Sequence, residues 1–377
     1  MPSVISKPVP EQHLANVIGE DALRNLHVTS KGFTIPVPVA GTPFYAVGGD
    51  IINEPQRMQD ILGRRIHEFP NRREAARPVA WDKGGRAIMP IAGGGFTSLS
   101  DLISEATTGG KTQIFNVTKG ASGTKVVGRG WSYWRLGAFP VAGAAGGTTG
   151  TGVARVSTDT GALGQANAGA GDTLHVTTVT GVCNVGANLL IMYDRLWDMT
   201  HTMTVDPRSC DAVNPPTRYQ GSTTAPGNFL SGEVTTVLPA ATPTITFNYV
   251  DESGNNSAGS ALSTIASAAA VNSIPFTAPY WFYPLIAGDT GIRSLQNSAS
   301  AVDLSAAMAS GVCTWFIGHP LMAIPSQTTN VPVVIDGINS AFNLTQVVDG
   351  ACISFLESNV GATTTSTWNL TIQLVSG

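Results

Sequence analysis

No lysine follows Lys125, and beyond Arg218 the only Lys or Arg is Arg293. The 159 residues from Tyr219 to the end hold eight carboxylates among Thr, Ser, Ala, Val, Asn and Gly. Charged residues make up 12% of the chain, where about a quarter is ordinary for a soluble globular protein. A surface built from this composition keeps few ionic groups to hold water, which suits a protein whose faces are covered by neighbours. The net charge of −4 excludes a general electrostatic binder of nucleic acid.

Long apolar runs are missing too. No stretch approaches the ~18 consecutive apolar residues that a membrane-spanning helix requires. The opening MPSVISKPVPEQ lacks a signal-peptide core, so synthesis in a cytoplasm is expected. Cysteine is scarce: Cys183, Cys210, Cys313 and Cys352 form no CxxC pair and are expected as free buried thiols. Zinc needs clustered ligands. His13, His27, His67, His175, His201 and His319 do not supply them, so no metal and no cofactor are expected.

What is present divides near residue 95. Residues 1–95 hold 11 of the 21 basic residues and ten of the 23 prolines. Each proline fixes φ and removes a donor, so regular elements stay short. Apolar spacing predicts two brief helices, Glu11–Leu26 and Gln56–Ile66, in an otherwise extended arm. Arg64, Arg65, Arg72, Arg73 and Arg77, interleaved with Glu68, Glu74 and Asp82, point to a partner protein's acidic surface rather than to nucleic acid.

Residues 96–377 read as a β domain, with the loss of basic residues after 218 suggesting an internal division near 220. Ser98 or Ser100 caps a short predicted helix through Leu102 and Ala106. Short β-type runs follow: Thr112–Thr118, Thr173–Thr180, Leu189–Tyr193, Glu233–Leu238, Thr242–Val250, Cys313–Ile317, Val331–Ile335, Cys352–Leu356 and Trp368–Val375. In the last, Trp368, Leu370, Ile372 and Leu374 share one face, and Asn369, Thr371 and Gln373 the other. Helix–strand alternation is absent, so the expected fold is mainly β: an antiparallel β-sandwich of jelly-roll type carrying an N-terminal arm. The Gly/Ala-rich stretches 137–152 and 159–171 suit close backbone approach, expected against a neighbouring subunit.

Catalytic motifs are few. Asp-Thr-Gly occurs twice, at Asp159–Gly161 and Asp289–Gly291, as it does once per lobe in bilobal aspartic proteases. The flanking residues differ from that motif, and Asp with Gly is ordinary turn chemistry, the preferred reading. Gly120–Lys125 lacks the spacing of a phosphate loop. Cys313 and His319 lie in the apolar run CTWFIGHPLMAIP, where a core role is preferred over a dyad. Trp131, Tyr133 and Trp134, flanked by Arg129 and Arg135, are expected to pack one face in the core and meet a subunit with the other; a sugar-stacking platform is the alternative.

The β-rich part resembles virion structural proteins of tailed bacteriophages, of the head decoration or cement type. The residues carrying this are Ser98–Leu102, Gly128–Arg135 with Gly137 and Pro140, Met192–Leu196 and Ala287–Ser294, together spanning about residues 98–325. The resemblance implies a non-enzymatic subunit that decorates or cements a capsid shell. Its partners would be the major capsid protein and copies of itself, with a homo-oligomer expected and no membrane or nucleic acid involved. Alternatives are a major capsid or tail protein, then a glycan-binding or aspartic-protease-like protein.

Overall fold

A computed structural model of the chain describes residues 45–46, 50–51, 80–81, 87–88, 96 and 99–377. Excepted are 108–109, 121–122, 124, 145, 148–149, 211–213, 220–226, 260–262, 278–280, 338–343 and 360–363. The chain divides into two units, Met1–Pro90 and Ile91–Gly377. In the first, β1 (Tyr45–Ala46) pairs with β2 (Asp50–Ile51), and β3 (Ala80–Trp81) with β4 (Ala87–Ile88). The two helices expected there, and Arg64, Arg65, Arg72, Arg73 and Arg77, lie outside the described residues.

The second unit opens with the expected helix, α1 (Leu99–Thr107), which buries Leu102. Six strands follow: β5 (Thr112–Lys119), β6 (Gly130–Ser132), β7 (Ala138–Phe139), β8 (Gly152–Ala154), β9 (Leu174–Cys183) and β10 (Asn188–Thr202). Next come β11 (Phe229–Thr236), β12 (Thr244–Asp251), β13 (Asn256–Ala258), β14 (Ser263–Thr264), β15 (Ile292–Leu295) and β16 (Val302–Leu304). The last are β17 (Val312–Ser326), β18 (Val333–Asp336), β19 (Thr345–Val347), β20 (Ile353–Asn359) and β21 (Trp368–Ser376).

Sheet one runs β18-β9-β21-β5-β7, with β19 also on β9; sheet two runs β11-β17-β10-β20-β6; a third sheet surrounds β12. Eight of these strands carry the topology. Counted in chain order, β5, β6, β9, β10, β17, β18, β20 and β21 form sheets ordered 6-3-8-1 and 5-4-7-2. That is a jelly roll, two Greek keys folded face to face. The segment bearing β11 to β16 is inserted between its fourth and fifth strands, adding β11 to the edge of sheet two.

Sheet two is therefore a middle layer, with a core on each side. Leu190, Met192 and Phe355 pack with Val176, Val179, Leu370 and Ile372 of sheet one. Tyr193, Trp315 and Ile317 pack with Ile245, Phe247 and Tyr249 of the insertion, where Phe247 meets Trp315 edge-on at 5.0 Å between ring centroids. This explains why β10 is buried along nearly its whole length and shows no alternation. Strand β21 shows the opposite pattern, apolar residues inward and polar outward from Trp368 to Gln373, because its outer face is covered only at the far end, where Val375 packs with Phe96 and Leu102.

The Gly/Ala-rich loops differ from expectation in their partner. Close approach does require their glycines, but the neighbour is this same domain: a Cβ at Gly143 would strike the Trp134 ring, and one at Gly152 the Trp197 ring.

Candidate interaction face

The aromatic cluster is interior. Trp131, Tyr133 and Trp134 are 3%, 0% and 0% exposed. This corrects the expected partner contact and removes the sugar platform, since no face of the three rings is open. Trp134 lies under two guanidinium groups, Arg195 at 4.8 Å and Arg155 at 5.5 Å, and its Nε1 donates to Ala144 O at 2.9 Å. Tyr133 donates to Glu357 Oε2 at 2.7 Å. Trp131 joins the core between sheets one and two.

Those contacts belong to a wider pattern: the charges of this domain are buried or half-buried far more often than exposed. Nine charged side chains are buried, namely Lys119, Lys125, Arg155, Asp194, Arg195, Asp198, Glu233, Asp251 and Glu357. Among the described residues from 96 onward, the only exposed ones are Asp303 and Asp349, and the rest are half-buried.

One buried network ties β10 to the insertion. Arg195 donates to Asp198 Oδ2 at 2.8 Å and Glu233 Oε1 at 3.0 Å, and Arg155 grips Asp198 with two bonds of 2.9 Å. Burial works against the Arg195 charge, but Glu233 and Asp198 outweigh it and hold the guanidinium more firmly protonated than usual. Next to it, Arg218 holds Asp194 at 2.8 and 2.9 Å; burial raises that carboxyl while Arg218 opposes the rise. A second network joins sheets one and two. Glu357 on β20 accepts from Lys125 at 2.6 Å, Ser366 at 2.7 Å and Trp368 Nε1 at 3.3 Å. Burial lowers the Lys125 ammonium against the pull of Glu357. Each carboxylate in these networks is held by fixed donors, so the arrangement ties the layers together.

The two Asp-Thr-Gly triplets sit in separate surroundings. Asp159 accepts from Val156 N at 3.1 Å in its own turn, and Gly161 has φ +99°. Asp289 accepts from Tyr249 OH at 2.7 Å and lies with Asp251 and Glu252, ligand atoms within 4.8 Å of one another. Asp251 is itself tied to Ser253 N and Asn255 N, at 2.9 and 2.7 Å. Cys313 and His319 also separate: the thiol is fully buried, and His319 stacks on Tyr219 at 4.0 Å.

One extended open surface among the described residues is the outer face of sheet one away from α1. Its side chains form uncharged rows across β5, β21, β9 and β18: Thr118, Asn369 and Val182, then Asn116, Thr371, Thr180 and Val334, then Ile114, Gln373 and Thr178. Asp336 ends the third row and is half-buried. Thr118 donates to Asn369 Oδ1 at 3.0 Å, and Thr371 to Asn116 Oδ1 at 3.1 Å. Ile114 and Val334 are each 62% exposed. A partner covering such a face strips water from amides and hydroxyls, not from ions, and so avoids the several kcal/mol per ion that burying charge costs. Strand alternation in β21 reveals half of this face in the sequence; its continuation on β5 and β9 needs the register.

No family model matches this chain, and no curated protein matches it. Among solved structures, one of the Gt strain of infectious bursal disease virus aligns at 10% identity with a TM-score of 0.14. It covers 70% of this chain and 81% of that one. A structure of the Gx strain aligns at 11% identity and TM-score 0.14, over 71% and 79% of the two chains. The fold assignment rests on the strand order alone.

Proposed function

We propose that this chain is a structural subunit of a virion, decorating or cementing a tailed-phage shell through contacts with the shell protein and with copies of itself. The observation that carries the reading is the retreat of charge from the surface. Among the described residues from 96 onward nine ionic side chains are buried, most others are half-buried, only Asp303 and Asp349 are exposed, and the open sheet carries a single charge at its margin, Asp336. A free monomer gains nothing from such an exterior, whereas a subunit covered on several sides avoids desolvating ions at every contact. The jelly roll supplies rigid walls, and its two buried ionic networks stiffen the layers that present the face.

Binding of this kind works through many simultaneous contacts, each weak, whose effective concentrations multiply the affinity. The residues Arg64, Arg65, Arg72, Arg73 and Arg77 serve as the basic counterpart for an acidic surface of the shell protein. Among the described residues, no helix is long and apolar enough to cross a membrane. The test is quantitative mass spectrometry of purified particles from a culture carrying this sequence. A fixed copy number matching a symmetric set of shell positions supports the role; absence from particles sinks it. The jelly-roll order favours one second reading, a shell-forming protein, since viral capsids use that fold. Closed particles assembled from the purified chain alone would select it.

A further inference from the structure

Among the described residues, strand β5 leaves one edge of sheet one open. It pairs along its length with β21, Thr112 to Lys119 against Val375 to Trp368, but on the other side β7 reaches only Thr118 and Lys119. Lys111 O accepts from Ser376 N at 3.2 Å, and Gly120 N donates to Gly137 O at 3.3 Å. Odd-numbered residues therefore turn their backbone groups to β21 and even-numbered ones to the β7 side. The N–H and C=O groups of Thr112, Ile114 and Asn116 point off the sheet, and among the described residues no strand meets them.

Proteins blunt such edges with Lys, Pro, bulges or a covering element. The stretch TQIFNV has no charge and no proline, and its ladder with β21 runs without a register shift. On the inner face Gln113 pairs with Ala166 N and O at 2.8 and 3.0 Å, which closes the sandwich beneath the edge; among the described residues the edge itself is free. Gly110, at φ +66°, bends the chain just before the strand begins.

We propose that this edge pairs with the same edge of a second copy, β5 against β5, antiparallel about a two-fold axis at Ile114. Sheet one then continues across two subunits. The edge is self-complementary in that register, as a two-fold interface must be. On the outer face Ile114 meets Ile114 and Thr112 meets Asn116, apolar facing apolar and hydroxyl facing amide; on the inner face Gln113 meets Phe115, and no charge opposes another. Centring the axis on Asn116 instead sets Thr118, already held by β7, opposite Ile114. A ladder this short is weak alone and suits repeated use. The inference deepens the subunit reading and rests on it only in requiring that copies of this chain meet.

The test uses the full chain with single cysteines, since Cys183, Cys210, Cys313 and Cys352 are all buried. Residues facing across such a pair bring their Cα atoms to about 5.5 Å, within the range a disulfide spans. Under mild oxidation Ile114→Cys is expected to give a covalent dimer, while Thr112→Cys and Asn116→Cys link to each other when mixed but not to themselves. Ile114→Lys, a surface change, should abolish concentration-dependent slowing of amide exchange at residues 112–116. Failure of Ile114→Cys to self-link in solution and in particles overturns the edge pairing, as does equal linking by all three variants. Failure of the subunit reading shows separately, as absence of the chain from particles.

Discussion

Arg195 on β10 donates Nη2 to Glu233 Oε1 on β11 at 3.0 Å, and neither side chain reaches solvent. The pair joins the jelly roll to its insertion, so its loss should loosen two layers at once. Removing one partner of a buried pair strands the other's charge, at a cost of about 3–5 kcal/mol. Glu233→Gln and Arg195→Met should each destabilise by that amount in denaturant unfolding. The double variant should cost clearly less than the two single losses added together.

Lys125→Met is expected to act similarly on the second network. Glu357 keeps Tyr133, Ser366 and Trp368 as donors but loses its cation. A loss of about 3 kcal/mol is expected, and unfolding monitored by tryptophan fluorescence reads it through Trp131, Trp134 and Trp368.

Acid should weaken the fold through its buried histidines. His201 accepts from Trp315 Nε1 at 3.1 Å through Nδ1, which fixes the neutral ring, and burial lowers it to about 4. His319 is lowered to about 4 by the same cause. Both folded values lie below the ordinary 6.5. The unfolded chain therefore takes up protons first as pH falls. Stability from these rings is complete above pH 6.5 and declines from there towards pH 4, by ~3 kcal/mol for His201 at about 1.4 kcal/mol per pH unit. His201→Gln, keeping an acceptor for Trp315, should flatten that decline in melting temperature between pH 6.5 and 4.

Gly143→Ala should cost about 1–3 kcal/mol through overpacking, because its Cβ meets the Trp134 ring. Gly137→Ala, with nothing within 4 Å of the new Cβ, should leave the melting temperature unchanged.

All nine β-type runs expected from the sequence overlap strands, some with ends one or two residues off, and their alternation is clearest where only one face is buried. In β12 the pairs Ile245/Thr246 and Phe247/Asn248 alternate just as the burial does. The central strands β10 and β17 were legible only in part. Both their faces are covered, so periodicity vanishes, and β10 carries register shifts at Met192/Tyr193 and Arg195/Trp197. The aromatic cluster misled for a related reason: Trp131, Tyr133 and Trp134 look like an interface in one dimension, but the inserted sheet and the glycine loops bury them. Nor does a count of charges say where they go. Arg195 and Asp198 are three apart on a strand, a spacing that places residues on opposite faces; the shift at Arg195/Trp197 lets them meet.

The idea that the uncharged exterior exists to be covered meets its most direct check in Thr371→Lys. Thr371 is exposed at the middle of the outer face and faces no core residue. The variant should fold with an unchanged melting temperature and disappear from purified particles, because each contact would then bury an unpaired ammonium. Incorporation at the wild-type copy number, with the new lysine protected from acetylation in the particle, would contradict it.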